Sequence, residues 1–466
     1  MFVSPSLKTI LTPADIERIH NHSLDLLERV GIDYKTPKAL QILQEVGCQV
    51  DYESGRARLP REIVEWAIKQ APRVVRLQAR DPANDIVLNG RASFNTTDSQ
   101  GTEAIDLESG ERHDSTSEDL RRVCRFGDAL DMVHIVNVTV SASDVPAHLR
   151  TVTHFVEAFA NTSKHIRTGI LNSKQVPLIV ELAKAATVSE SFRPIFSVVD
   201  CTISPLMHDR LMTEACIDLA RLGVPIVVYP MPLAGGTSPV TLGGTILVHN
   251  IEFLSGLVLF QAAKPGAPII YGSGASQLDM HTGRYGGSSD GVWMQLALCE
   301  LARHYNLPIN LIGLCTKSSA LDAQYGYEAM ANNLLARLAG ADEIYSMGLL
   351  GSSQVLSLEK MVLDNHIAHR IEEMLAPVSV DDDHLQASLI EAVGIGGSYL
   401  TRKETRDFTR SEYVPMWPPA GQDMMRLVRD EAMEILNQHK PAPLPDRAAE
   451  KMSAVLAEAD VVLRDE

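Results

Sequence analysis

What the chain lacks narrows its chemistry first. Its six cysteines, Cys48, Cys124, Cys201, Cys216, Cys299 and Cys315, form no CxxC pair and no Cys/His cluster. That scatter argues against a structural zinc, an iron–sulfur centre or a disulfide framework, and fits a reducing compartment. His249, His281, His304 and His366 stand apart, with no HExxH or HxH, so no metal site is expected. Positive charge is also short: 42 Lys and Arg against 59 Asp and Glu give a formal net charge of −17. Neither nucleic acid nor an anionic membrane is then expected as the main partner. The opening MFVSPSLKTILTPADIERIH has no basic n-region and no long apolar core, so no signal peptide is read. No apolar run approaches the roughly 18 residues of a spanning helix. Repeats and low-complexity segments are missing too. A cytoplasmic enzyme is the expectation.

What is present is an ordinary globular composition, 45% hydrophobic and 22% charged, over 466 residues. One large domain with extensions is the natural reading at that length. Residues 1–90 read as an N-terminal helical extension with a small sheet. Thr12 and Pro13 start a helix whose apolar face is Ile16, Ile19, Leu24, Leu27 and Val30, ended by Gly31. Shorter helices fall at about 37–46 and 61–70, between extended pieces. From residue 91 the rhythm changes. Short apolar β-rich runs occur at 92–96, 135–138, 165–168, 194–199, 226–229, 268–271, 308–312 and 343–347. Helical patterns follow each, at 117–130, 147–159, 174–185, 205–222, 241–263, 291–305, 321–338 and 356–374. Eight strands, each followed by a helix, predict a (β/α)8 TIM barrel over 91–376. Residues 377–466 read as a C-terminal helical tail with an acidic stretch at Asp381–Asp383 and helices near 423–438 and 447–463.

The competing architecture is an open doubly wound sheet. Its nucleotide fingerprint is poorly met, because Gln277 stands where the third small residue belongs after Gly272 and Gly274. No P-loop lysine follows Gly235 and Gly236.

A parallel barrel builds its site at the C-terminal strand ends. Those ends supply Asn95, Asp98, Asp200, Tyr229, Tyr271, Ser273, Cys315, Lys317 and Met347, with Gln324 opening the next helix. Tyr229 and Tyr271 close two successive strands, each followed by a Gly-rich loop, so both phenols are expected to face the site. No nucleophile–base pair stands out. Structural alternatives exist: Asp200 could cap a helix starting at Pro205, the tyrosines could pack under the loops, and Cys315 reads as an inert core thiol. Lys317 reads as a solvated loop charge unless its loop folds inward, and Glu328 reads as a helix-face residue. Lys164 and Lys317 are the nearest lysines for a Schiff-base reading.

Several runs carry a resemblance. PMPLAGGTSPVTLGGTILVHNIEFLSG, KPGAPIIYGSG, LDMHTGRYGG, LDAQYGYEAM, LAGADEIYSMG with SLEKMVLDN, and the early SGERHDSTSEDL resemble the trimethylamine methyltransferase superfamily, in order and over essentially the whole chain. The resemblance implies a (β/α)8 barrel that moves a methyl group from an amine to the cobalt of a partner corrinoid (cobalamin) protein, in one-carbon metabolism of the methanogenesis type. No corrinoid is then expected to be tightly bound by this chain, and a homo-oligomer is expected. Founding members use pyrrolysine for trimethylamine, and this chain contains none. It is similar to the non-pyrrolysine branch, whose members include enzymes for quaternary amines such as glycine betaine. A quaternary ammonium leaves as a neutral amine and needs no general acid, in keeping with the lack of a nucleophile–base pair. On that reading Asp98, Asp200, Tyr229 and Tyr271 hold the cation by charge and aromatic faces. Lys317, His281 and Arg284 are candidate donors for a betaine carboxylate, and Gly235, Gly236, Gly272 and Gly274 would let the corrinoid approach. Departures from the family pattern are Thr316-Lys317-Ser318-Ser319 after the seventh strand, His281 for an arginine, and Glu404-Thr405 in the tail. The alternatives are a tertiary-amine methyltransferase and a barrel that only binds its amine.

Overall fold

The computed structural model describes residues 10–464 except 188–190, 282, 284, 286–289 and 413–416. Eight parallel strands close into a barrel: β1 (Phe94–Thr97), β2 (Ile135–Asn137), β3 (His165–Thr168), β4 (Phe196–Asp200), β5 (Ile226–Val228), β6 (Ile269–Gly272), β7 (Ile309–Ile312) and β8 (Glu343–Met347). Each predicted strand is there, and β8 closes on β1. The surrounding helices are α1 (Ser117–Ala129), α2 (Ala147–Asn161), α3 (Gln175–Thr187), α4 (Arg210–Arg221), α5 (Leu242–Ala263), α6 (Asp290–His304), α7 (Ala323–Ala339) and α8 (Leu358–Leu375). Local chemistry sets several starts. Thr116 and Asp119 form a reciprocal capping box on α1, inside the SGERHDSTSEDL run. Asp322 caps α7 and Ser357 caps α8.

Alternation along the strands sorts side chains into lumen and outer layer. Ile135, Val227, Tyr229 and Ile270 cluster inside the barrel with Val75, Leu77, Ile86 and Leu88. Those last four belong to the hairpin Val75–Leu77/Ile86–Leu88, which therefore plugs the N-terminal end. Above this plug, Arg167 spans the lumen to Glu343 with two hydrogen bonds of 2.6 and 2.7 Å, and Asn310 Nδ2 donates to the same carboxylate at 2.8 Å. This paired and bonded charge forms a polar floor beneath the mouth.

The outward face of the barrel joins one large apolar core. It runs from the N-terminal residues Leu24 and Leu27 through the helical layer to Val428, Met452 and Ala459 in the tail. Helix α5 is apolar enough and, at 22 residues, long enough to cross a membrane, but 78% of its apolar window is buried inside the protein. It lies between the barrel and the N-terminal helices Pro13–Arg29 and Arg61–Gln70, which explains why it is apolar all round.

One departure from the sequence reading matters. The helix after β4 begins at Arg210, capped by Asp209, and not at Pro205. The intervening residues form a short hairpin, Thr202–Ile203 with Met207–His208, which extends the small N-terminal sheet through a parallel pairing of Asp33 with Met207. Glu252 of α5 holds it in place, accepting hydrogen bonds from Thr202, Ser204 and the Leu206 amide at 2.5, 2.8 and 2.9 Å. Asp200 is consequently not a helix cap.

Candidate active site

The chemistry at the barrel mouth gathers around Asp98, the residue after β1. It is fully buried. One carboxylate oxygen accepts the Ser99 amide at 2.8 Å and the other accepts Ser353 Oγ at 2.8 Å, with the Tyr345 phenol as a further donor. Burial pushes this carboxyl above the usual Asp range in spite of those donors. Tyr345, from β8, also lies 2.7 Å from Ser99 Oγ. Its ring centroid is 6.1 Å from that of Tyr229, the planes inclined at 59°. Tyr285 comes from the loop after β6 and donates its phenol to the Gly274 carbonyl at 2.9 Å. Cys201, Cys315, Tyr285 and Asp98 all lie within electrostatic reach of Tyr229. The site is therefore one desolvated carboxylate beside three tyrosine rings and two thiols. Burial pushes both thiols up to about 12, so each is a neutral S–H at neutral pH.

Tyr271 does not belong to this group. It pairs in register with Val228, whereas Tyr229 follows one residue later, so the two phenols point to opposite faces of the sheet. Tyr271 is buried in the outer layer, its ring centroid 3.9 Å from that of Phe253 and its phenol donating to Asn250 at 3.2 Å. The expectation that both phenols face the site is corrected by this parity. Gly272, which ends the same strand, and Gly274 just beyond it have a packing use. A Cβ on Gly272 would stand 2.5 Å from the Tyr229 ring, and one on Gly274 would stand 2.6 Å from it. Neither carries a side chain, so the Tyr229 ring can pack closely against them.

Asp200 also faces outward. It lies fully buried 3.4 Å from His208, whose ring stacks on Tyr34 at a centroid distance of 4.9 Å. Asn95 is turned to the outer layer as well, donating to the Met132 carbonyl at 3.0 Å and facing Arg337 at 3.4 Å. Ser273 bonds to Gln295 of α6. Met347 sits in the large apolar core beyond a register shift in β8. All four were expected in the site, and the alternation of the strands takes their side chains away from it. His281 is exposed on the loop after β6, its amide held by Asp279 at 2.8 Å. Arg284 lies outside the described residues. Gly235 and Gly236 are exposed in the loop after β5. Lys164 is at the opposite end of the barrel, bonded to the Gly127 and Leu130 carbonyls at 2.8 and 2.7 Å, which removes it as a Schiff-base lysine at the mouth.

Cys315, Lys317 and Gln324 line a cleft of about 560 Å³ beside the tyrosines, together with Tyr285, Tyr327 and Glu328. Glu328 shapes its wall, accepting Thr316 Oγ1 at 2.7 Å, the Lys317 amide at 2.8 Å and Gln324 Nε2 at 3.0 Å. The Lys317 side chain is exposed and makes no hydrogen bond or salt bridge to a described residue. A larger cavity of about 950 Å³ opens at the other end of the barrel, between Arg73, Arg91, Arg303 and Pro377. It is remote from the carboxylate and its tyrosines. Below the mouth, the buried Lys360 ammonium donates to the Leu314 carbonyl at 3.0 Å and to Asp364 at 2.7 Å, and lies 3.4 Å from the Ser346 carbonyl. It thereby ties together the backbone next to Cys315 and Tyr345.

Sequence reasoning had Asp98, Tyr229 and Cys315 among its candidates, and missed Tyr345, Tyr285 and Ser353. Tyr345 shares the lumen face with Glu343, two residues away, a signal that the alternation in EIYSM contains. Tyr285 stands within the LDMHTGRYGG run that carries the resemblance.

Barrel and mouth define the class as a (β/α)8 protein with a buried carboxylate among tyrosine rings. The profile of trimethylamine methyltransferase (MTTB) matches residues 4–460. The trimethylamine methyltransferase MttB of Desulfitobacterium hafniense is 32% identical over 461 residues, covering 96% of this chain and 93% of the relative. The glycine betaine methyltransferase of the same species is 28% identical over 465 residues, with 96% of each chain covered. The crystal structure of the Methanosarcina barkeri monomethylamine methyltransferase (MtmB) shares the fold, with a TM-score of 0.54, 10% identity, and coverage of 100% of this chain and 89% of that one. The chain belongs to the trimethylamine methyltransferase family, a family of enzymes.

Proposed function

We propose that this enzyme takes a methyl group from a betaine-like quaternary amine and passes it to the corrinoid of a partner protein in the cytoplasm. The observation that carries the reading is Asp98, a buried carboxylate whose surroundings include three tyrosine rings and whose cationic influence comes from Lys360, itself paired with Asp364 at 2.7 Å. A quaternary ammonium suits such a site: it gives Asp98 a positive charge not shared with Asp364 and meets aromatic faces, as onium ions do. When bound at the mouth, the reduced corrinoid supplies the nucleophile. The residues of this chain have the remaining tasks. Asp98 and the rings replace the water lost by the cation, and they fix its orientation so that one N-methyl points out of the barrel. The departing amine is neutral, so no group need donate a proton, and the protonated thiols of Cys201 and Cys315 offer no competing thiolate nucleophile. Lys317, at the cleft beside the site, is placed for the carboxylate of a betaine. Around the mouth Met231, Val240, Met280, Trp293 and Tyr327 are 39–71% exposed, an apolar rim suited to a docking protein. The tertiary-amine reading keeps one support, the 32% identity to a trimethylamine methyltransferase.

The test is a set of quaternary and tertiary amines presented with the reduced cognate corrinoid protein. Loss of the cobalt(I) absorbance with a quaternary amine, and none with trimethylamine, is expected. Turnover of trimethylamine alone would replace this reading with the tertiary-amine one.

A further inference from the structure

The segment between α8 and the helix Met424–Gln438 is attached at both ends, and residues 378–409 between them are largely exposed. Its start, Met374 to Pro377, forms part of the rim of the 950 Å³ cavity at the N-terminal end of the barrel. Its far end returns at Trp417, whose ring stacks on His366 of α8 at a centroid distance of 3.6 Å. Between these anchors lie the helices Asp382–Leu385, Ala387–Val393 and Lys403–Glu412. Val378, Val380, Leu385, Ile390, Ile395 and Leu400 are all exposed there, Ile395 and Leu400 almost completely. So dense a run of uncovered aliphatic side chains is unusual for a surface that meets only water.

The groove beside its root is complementary in charge. Arg73, Arg91 and Arg303 reach into it without a side-chain hydrogen bond or salt bridge to a described residue, beside the exposed Val74 and Met374. The carboxylates on its wall are engaged, Asp342 by the Gly90 and Ile309 amides and the field of Arg303, and Glu372 by Arg337. The arm carries Asp381, Asp382 and Asp383 just past that rim. Its own groove does not take up its aliphatic residues, which are exposed in the single chain. We propose that the arm, residues 378–412, is a clasp between two copies of this chain, each laying its acidic and aliphatic stretch into the arginine groove of the other. A two-fold exchange makes two identical contacts and closes the assembly. The clasp leaves from the end opposite the active-site mouth, so the mouth stays open to its docking partner.

The full-length protein is studied by sedimentation velocity and light scattering over a range of concentrations. The wild type should associate. Ile395→Asp with Leu400→Asp, and separately Arg91→Glu with Arg303→Glu, should each raise the dissociation constant at least about tenfold, or ~1.4 kcal/mol. These side chains are not part of the core, so circular dichroism should show an unchanged fold. Asp381→Arg with Asp383→Arg should weaken association alone and restore it when mixed with the Arg91→Glu, Arg303→Glu chain. Restoration by the swapped charges cannot come from damage to folding. A wild type that stays monomeric at tens of micromolar, association unaffected by the arm and groove changes, or failure of the swapped pair to recover would each overturn the proposal.

Discussion

Replacing Asp98 by asparagine should weaken the substrate's hold and strengthen the fold at the same time. The two side chains have nearly the same shape. The Ser99 amide keeps its acceptor, and the Ser353 and Tyr345 hydroxyls can turn to accept from the new amide. Only the charge goes. For a bound onium ion about 5 Å from the carboxylate, at an effective dielectric of roughly 20, the lost attraction is ~3 kcal/mol. That corresponds to ~100-fold in affinity. The loss should fall mainly on KM, because the positive charge on nitrogen decreases as the methyl departs, and kcat should change much less. Stability moves the other way. Burial raises the folded-state pKa of Asp98 above its unfolded value, so the folded state binds more protons in that interval. Unfolding free energy then falls as pH rises from the unfolded pKa through the folded one, and the full cost of the buried charge is present above the folded-state pKa. The Asp98→Asn variant carries no such cost, so its Tm above the folded-state pKa should exceed that of the wild type, with the gain disappearing as the pH drops below both values. Steady-state kinetics and thermal melts across pH read out both halves. An unchanged KM with a lowered Tm would show that Asp98 is a structural residue and refute the reasoning.

Other changes separate the parts of the site. Tyr229→Leu removes one ring face and should cost ~1–2 kcal/mol of onium binding measured by calorimetry, whereas Tyr271→Phe, in the outer layer, should leave binding unaltered. Gly272→Ala forces a Cβ to within 2.5 Å of both the Tyr229 ring and the Val228 carbonyl, so it should destabilise the protein by ~1–3 kcal/mol in denaturant unfolding and displace the ring. Lys317→Ala should raise KM about tenfold for a betaine and hardly at all for a quaternary amine without a carboxylate. Acidification through the raised Asp98 pKa should increase KM for the wild type but not for Asp98→Asn.

The barrel was legible because its strands are continuous apolar runs such as IVV and IIY, each followed by a helix whose length and spacing recur. What the sequence hides is register. Tyr229 and Tyr271 hold equivalent places in their two runs, yet β5 ends at Val228 and β6 at Gly272, so one ring enters the lumen and the other packs on Phe253. Met347 was misplaced by the irregularity at Ser346, where φ is 97° and the pairing with β1 shifts, so that it leaves the lumen series in which Glu343 and Tyr345 stand. Asp200 stands at the end of β4, as its position in the run implies, but its parity sends it toward His208. Asp98 was found because it follows a short strand by one residue. The ring of tyrosines around it arises from β5, β8 and the loop after β6, a combination that only the closed barrel brings together.

The central claim, that the mouth recognises positive charge on a trimethylated centre, is tested most directly with two ligands of one shape. Calorimetry should compare glycine betaine with 3,3-dimethylbutanoate, in which carbon replaces the ammonium nitrogen and the carboxylate is retained. The account predicts that the wild type binds the betaine at least about tenfold tighter, and that this preference shrinks in Asp98→Asn. Equal affinity for the two in the wild type would contradict it.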